Sequence, residues 1–260
     1  MLMVCEFVIF LLRYLKSVKV DEPYKIAICL PPKSGTTNWQ RAMSVLQFDN
    51  QGLKLKPEDF HSPGVYKTLR IHQIENAKEH QMIEKSWIKV ANVRNPFTRL
   101  FSAWNDKSRT FRFSNGTRTN KKLSWGAIQE RKKMFHEPYS SGWALFETDQ
   151  GPPIGRNVSW EAFVEYVASN SGDSTMNHHW RQQANQCRVC HLNYKYILHL
   201  ENSNEENPFI LKKLQHKNKT YVPGRYSWSP ADKDEMNWQT IPRKSAIRIY
   251  KHYFADFGKS

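Results

Sequence analysis

From Tyr24 to Arg41 the chain reads YKIAICLPPKSGTTNWQR, the most informative stretch of the sequence. Its first seven residues have the apolar content of a buried strand, and Trp39, Met43 and Leu46 then recur at helical spacing. Between strand and helix lies a loop with a lysine, hydroxyl groups and a glycine, which lets the backbone approach a ligand closely. In that geometry, backbone N–H groups and the helix dipole hold a phosphate.

The loop is not a Walker A motif. Its lysine, Lys33, precedes the glycine, Gly35, and the sequence Gly-x-x-x-x-Gly-Lys is absent. A P-loop nucleotide kinase is therefore the weaker enzymatic alternative, because it needs that motif together with a Walker B aspartate.

Composition indicates a folded protein with an anionic partner. The 260 residues are 39% hydrophobic, with nine Trp and fourteen Phe, enough for one α/β domain. The formal net charge of +15 favours a nucleic acid, a membrane surface or an acidic polysaccharide as partner. No long Lys/Arg run resembles a nucleic-acid arm, so we expect no nucleic acid. A non-enzymatic polyanion-binding protein would explain the charge but not an ordered anion loop.

Further strands and helices follow the first unit. Trp87–Val93 and Tyr194–Leu200 read as core strands, and residues 159–167 and 241–257 read as amphipathic helices. Repeated β-loop-α units predict a parallel central sheet flanked by helices, with ligands at the carboxyl ends of the strands. We assign residues 24–260 to a single domain and residues 1–23 to an apolar lead-in.

The lead-in has two interpretations. Residues 1–12 are apolar except for Glu6, shorter than the ~20 residues of a membrane span and without the basic start of a signal peptide. They form either a buried element of the core or the remnant of a signal anchor. Glycosylation sequons at Asn115, Asn157 and Asn218 modestly favour a secretory route.

Two cysteines close in sequence leave their chemistry open. Cys187-Arg-Val-Cys190-His191 matches a haem-attachment pattern, but a haem leaves the phosphate loop unexplained. Cys187 and Cys190 either form a short-range disulfide or remain thiols.

A second anion-binding element follows the second strand. Arg94 ends that strand, Asn95-Pro96 opens a helix, and Ser102 lies eight residues after Arg94, about two turns into the helix. A guanidinium fork and a hydroxyl suit a second phosphate. The alternative is that Arg94 pairs with a carboxylate and Ser102 merely packs. Two phosphate sites together predict a ligand that is phosphorylated at two places.

The two elements resemble the cofactor signature of sulfotransferases that use phosphoadenosine phosphosulfate (PAPS). Residues 32–39 resemble the 5′-phosphosulfate loop of these enzymes, and residues 93–102 resemble their 3′-phosphate element. The more specific resemblance is to Golgi carbohydrate sulfotransferases of the chondroitin and dermatan 4-O type. It rests on Thr37-Asn38-Trp39 and on Val-Arg-x-Pro-Phe-x-Arg-Leu-x-Ser-Ala from Val93, and more loosely on His179-Trp180, Cys187-x-x-Cys190 and Glu201.

The resemblance implies a role for each matched residue. Lys33 would neutralise the oxygen that bridges phosphate and sulfate, and Arg94 and Ser102 would hold the 3′-phosphate. No metal is needed. The 5′-phosphate would be held by the loop residues Ser34, Gly35, Thr36, Thr37 and Asn38.

The resemblance also implies a catalytic base and an acceptor. His72 is the first candidate for the base, His179 the second and Glu75 the third, although a lone histidine is more often a structural group. The acceptor would be an anionic glycosaminoglycan such as chondroitin, in the Golgi lumen or at the Golgi membrane. Membrane association would come from the N-terminus or from a missing anchor. A degenerate family member that binds PAPS weakly is a further alternative.

Overall fold

The computed structural model describes residues 17–48, 71–73, 87–107, 111–114, 117–120, 158–170, 176–189, 192–214 and 238–257. The chain divides into two compact units, Met1–Asn95 with Arg181–Arg225, and Pro96–Trp180 with Tyr226–Ser260. The predictions for residues 1–12, Glu75, Cys190 and the three sequon asparagines lie outside the described residues.

Seven strands are described: β1 (Val18–Asp21), β2 (Ile26–Cys29), β3 (Ile71–Gln73), β4 (Ile88–Val93), β5 (Phe111–Ser114), β6 (Thr117–Asn120) and β7 (Tyr196–His199). The first unit is built on a mixed five-stranded sheet of order β3-β1-β2-β4-β7. Strands β2, β4 and β7 run parallel, and β1 pairs antiparallel with both β2 and β3. An antiparallel hairpin, β5-β6, belongs to the second unit.

Helices follow the strands in the order that the βα pattern predicted. Short 3-10 turns cover Leu200–Asn202 and Trp238–Thr240. The helices are α1 (Thr36–Phe48), α2 (Pro96–Lys107), α3 (Trp160–Ser169), α4 (Gln183–Cys187), α5 (Ser203–Lys213), α6 (Arg243–His252) and α7 (Phe254–Phe257). In the part of the chain that the structure describes, no helix has the length and apolarity needed to span a bilayer.

The α/β class and the three parallel strands are confirmed, but the sheet is mixed rather than wholly parallel. Strand β1 lies within the residues assigned to the lead-in. It escaped prediction because it is four residues long and alternates Val18 and Val20 with the charged Lys19 and Asp21. The tight turn that joins it to β2 places Lys25 at a φ of 48°.

Strand alternation gives the sheet two apolar faces. Ile26, Ile28 and Val90 point to one face, where they pack with Trp39 and Met43 of α1. On the opposite face, a second cluster gathers side chains of β1, β2, β4 and α4: Val18, Val20, Ala27, Cys29, Ala91 and Cys187, together with Leu192. Helix α1 therefore lies against one side of the sheet and α4 against the other.

Aromatic packing builds the core of the second unit. Phe101 and Trp104 of α2 contact Trp160 of α3, and the Trp104 indole donates to the Val158 carbonyl at 2.7 Å. Ser159 caps α3 by accepting the Ala162 N–H, as the predicted start of this helix requires.

The C-terminal helix differs from its prediction. It breaks at Tyr253, which is buried, whereas Ile247, Tyr250 and Phe254 are exposed. The apolar residues of the segment predicted as one amphipathic helix therefore do not share one environment.

Candidate anion-binding site at the strand ends

The loop after β2 folds around the carbonyl group of Pro31. That oxygen accepts the N–H of Ser34 at 3.2 Å, the Ser34 hydroxyl at 2.7 Å and the Thr36 hydroxyl at 3.0 Å. These two hydroxyl hydrogens are therefore used inside the loop, where they set its shape. Ser34 is buried, while Lys33 is half-buried.

Two loop residues adopt left-handed backbone angles. Lys33 has φ 70° and Gly35 has φ 87°. Such an angle costs a non-glycine residue energy and is often found where function requires it. At Gly35, a Cβ atom would also lie 2.8 Å from Cδ1 of Leu200. The glycine thus meets both a conformational and a steric requirement.

The start of α1 presents N–H groups that no described residue accepts. The N–H groups of Asn38 and Trp39 donate to the Gly35 carbonyl at 3.0 and 3.2 Å. Among the described residues, those of Gly35, Thr36 and Thr37 have no acceptor. Three such donors at the N-terminus of a 13-residue helix, beside Lys33, fit a phosphate group.

Arg94 joins the second predicted element to the first. Its guanidinium Nη1 donates to the Lys33 carbonyl at 3.1 Å, and its side chain is 7% exposed. One residue before the end of β4, the Asn92 side chain donates to the Ser34 carbonyl. The loop and the end of β4 therefore meet at one edge of the sheet, as the sequence predicted.

Two side chains hold the backbone that leaves β4. The Gln183 carboxamide accepts the Arg94 N–H at 2.9 Å and donates to the Arg94 carbonyl at 2.8 Å. The N–H of Asn95 donates to Glu201 Oε1 at 3.0 Å. The path of the chain from β4 towards α2 is thus set by side chains from distant parts of the sequence.

A disulfide ties α4 to the strand that precedes the loop. Cys187 bonds Cys29, with Cα atoms 5.5 Å apart, and both residues are fully buried. Cys187 therefore does not pair with Cys190 and is not a thiol, which corrects both sequence-based alternatives. The reason is packing, because α4 lies on the sheet face that carries Cys29.

Three predicted site residues belong neither to the lysine loop nor to the end of β4. His72 belongs to β3 at the edge of the sheet, where it pairs with Val20. Ser102 is half-buried in α2, within the second unit. His179 also belongs to the second unit, in the turn before Trp180. The roles assigned to them stay predictions.

The contacts of His179 define its tautomer. Asn177 Oδ1 accepts the backbone N–H of His179 at 2.9 Å and lies 2.8 Å from its ring Nδ1. The backbone N–H can only donate, so it fixes which end of the Asn177 amide is the oxygen. Nδ1 therefore carries the ring hydrogen, and Nε2 of the neutral ring carries the lone pair.

Sequence reasoning missed Gln183 and Asn92. A lone glutamine or asparagine has no periodic or motif signal, because its role depends on the backbone group that it meets in three dimensions. Within the described residues, no group of His, Cys, Asp and Glu is arranged to hold a metal ion.

Comparison with known proteins gives a consistent result. The profile of the Sulfotransferase family matches residues 16–258. Carbohydrate sulfotransferase 11 of Rattus norvegicus is 27% identical over 94% of this chain and 66% of its own length. Carbohydrate sulfotransferase 12 of Xenopus laevis is 28% identical over 94% of this chain and 60% of its own length. Carbohydrate sulfotransferase 14 of Danio rerio is 24% identical over 94% of this chain and 61% of its own length.

The chain spans slightly less than two thirds of the length of these relatives. No solved structure matches it significantly.

Proposed function

The chain belongs to the sulfotransferase family, and on that premise we propose that it transfers a sulfuryl group from PAPS to a carbohydrate hydroxyl. The observation that carries the proposal is the contact between Arg94 and the Lys33 carbonyl, which joins two cation-bearing elements at the ends of parallel strands. A donor nucleotide with a 5′-phosphosulfate and a 3′-phosphate requires two such elements.

The loop supplies the groups for the 5′ end of the donor. The N–H groups of Gly35, Thr36 and Thr37 would hold the phosphate. The Lys33 ammonium would stabilise negative charge on the phosphate oxygen as its bond to sulfur breaks. The acceptor oxygen forms the new bond to sulfur and loses its proton to a base. Arg94 would bind the 3′-phosphate.

His179 is supported as the base by its tautomer. With its Nδ1 hydrogen directed to Asn177, Nε2 of the neutral ring can accept the proton of the acceptor hydroxyl. His72 remains the other candidate. Parallel assays of His72→Ala and His179→Ala would identify the base, because its loss lowers kcat much more than it changes the affinity for the nucleotide.

We propose an anionic glycosaminoglycan, with chondroitin first, as the acceptor. The relatives are named carbohydrate sulfotransferases, and the net charge of +15 suits a polyanionic sugar. The Golgi lumen is the proposed compartment, and the Cys29–Cys187 disulfide supports it because such bonds persist in oxidising compartments.

The first experiment separates this function from its alternatives. Adenosine 3′,5′-bisphosphate should raise the melting temperature, whereas ATP at the same concentration should not. Stabilisation by ATP alone would favour a nucleotide kinase. A response to neither nucleotide would favour a polyanion-binding protein or a degenerate family member.

Lys33→Ala and Arg94→Ala test the two elements in the reaction. Each should lower transfer of labelled sulfate from PAPS to desulfated chondroitin by roughly a hundredfold or more, because each removes a cation that stabilises developing or bound charge. Lys212→Ala, at an exposed position of α5, is the control and should retain activity. Full activity in either site variant would contradict the assignment.

A further inference from the structure

Gln183 lies at the point where β4 ends. Its carboxamide satisfies both backbone polar groups of Arg94, and its side chain is 2% exposed. The peptide group of a neighbouring strand would make the same pair of hydrogen bonds. The Gln183 side chain therefore extends the sheet by one residue on the path towards α2.

Arg94 needs such a partner because the sheet stops before it. Strand β4 pairs with β2 as far as Ala91 and with β7 as far as Val93. A buried backbone group without a partner costs about 1–3 kcal/mol. Hydrogen bonds on both the N–H and the carbonyl fix the peptide on each side of Arg94, and with it the direction of the Cα–Cβ bond.

Contacts of two other residues of α4 fix the position of the helix, and with it that of Gln183. Gln186 accepts the hydroxyl of Ser17 at 3.0 Å, and Cys187 is bonded to Cys29. Ser17 precedes β1 and Cys29 ends β2, so the short helix is attached to two other strand ends. The pair of hydrogen bonds between Gln183 and Arg94 anchors the helix to the end of β4 as well.

We propose that Gln183 is a positioning residue for recognition of the 3′-phosphate. It orients Arg94 through the backbone, while the Lys33 carbonyl orients the guanidinium at Nη1. The inference rests on the proposed function, in which Arg94 binds that phosphate. Loss of Gln183 should therefore impair selection for the 3′-phosphate and leave the 5′-phosphate loop intact.

Two nucleotides that differ only at the 3′ position provide the test. Isothermal titration calorimetry would give the Kd of adenosine 3′,5′-bisphosphate and of adenosine 5′-monophosphate for the wild-type chain and Gln183→Leu. The variant should bind the bisphosphate roughly tenfold more weakly or worse, the size of effect expected for a misaligned charged hydrogen bond. Its Kd for the monophosphate should not change.

Gln186→Leu is the matched control. It also removes a buried carboxamide from α4, at 5% exposure, but Gln186 bonds Ser17 and the Arg181 carbonyl instead of Arg94. The melting temperature should fall as in Gln183→Leu, while the ratio of the two Kd values stays that of the wild type.

Gln183→Glu provides a gentler second variant. Its carboxylate can still accept the Arg94 N–H but cannot donate to the Arg94 carbonyl, so an intermediate Kd ratio is expected. A wild-type ratio in folded Gln183→Glu, or an equal loss of ratio in Gln186→Leu, overturns the positioning role and leaves the proposed function standing. A wild-type chain that binds both nucleotides equally overturns both proposals.

Discussion

Single residues carry unusual conformational demands in the loop after β2. Lys33 and Gly35 both lie in the left-handed region, on either side of the buried Ser34. Their backbone angles turn the loop so that the Lys33 carbonyl meets Arg94 while N–H groups at the helix start have no acceptor among the described residues. The shape of the candidate anion-binding loop is thus set by backbone conformation.

Gly35→Ala should damage this loop. The added Cβ meets Cδ1 of Leu200 at 2.8 Å, and the φ of 87° is strained for alanine, so a loss of roughly 1–3 kcal/mol in unfolding free energy is expected. Denaturant unfolding and the Kd of adenosine 3′,5′-bisphosphate measure the effect. The double variant Gly35→Ala with Leu200→Ala removes the clash with Leu200 but keeps the strained backbone angle. Its nucleotide affinity should therefore recover partially relative to Gly35→Ala. Unchanged stability and affinity in Gly35→Ala would refute the strained geometry.

Lys19 makes stability depend on pH. Burial lowers its pKa from 10.5 to about 8, because the folded protein disfavours the charged ammonium. Below pH 8 the lysine is charged in both states and its burial is destabilising. Between pH 8 and 10.5 the unfolded chain binds more protons, so the unfolding free energy should rise with pH, by a total on the order of 3 kcal/mol.

The matched variant for this effect is Lys19→Met, which keeps the length of the side chain and removes the titration. Chemical denaturation at several pH values between 7.5 and 10 should show the rise in the wild-type chain and a smaller slope in the variant. Equal slopes in the two proteins would mean that Lys19 titrates normally in the fold.

At the scale of elements, α4 has more influence than its length suggests. The helix has only five residues, yet three of them contact other elements. Gln186 contacts the residue before β1, Cys187 the end of β2 and Gln183 the residue after β4. Sequence periodicity could not reveal it, because one turn of helix gives no repeat and two of its three buried residues are glutamines. The three parallel strands were predictable for the opposite reason, since each lies in a longer stretch rich in β-branched, aromatic and other apolar residues.

Loss of the disulfide should loosen α4. In Cys29→Ala with Cys187→Ala, the unfolded chain regains the freedom of a loop closed across 158 residues, worth up to about 5 kcal/mol. The melting temperature should fall, and adenosine 3′,5′-bisphosphate should bind more weakly because Gln183 loses its support. Reductant should lower the melting temperature of the wild-type chain more than that of the variant. Equal shifts in both would show that this bond does not stabilise the fold.

At the scale of the whole molecule, sequence patterns identified the α/β class and predicted that the lysine loop and the end of β4 meet at one edge of the sheet. They missed β1 and β3, which have four and three residues and carry charged or polar side chains. The hairpin β5-β6 was likewise not among the predicted elements. Short elements of this kind are stabilised by their neighbours in the fold, so local sequence holds little information about them.

The separation of Cys29 and Cys187 has a consequence for biosynthesis. The two cysteines are 158 residues apart, so at about 5–20 residues per second the ribosome delivers the second roughly 8–30 s after the first. Cys190 lies three residues after Cys187, so it becomes available almost at once as a competing thiol. Correct pairing is therefore selected by the docking of α4 on the sheet. Because Cys187 and Gln183 come late in the chain, the candidate anion-binding site is completed only after most of the chain has been made.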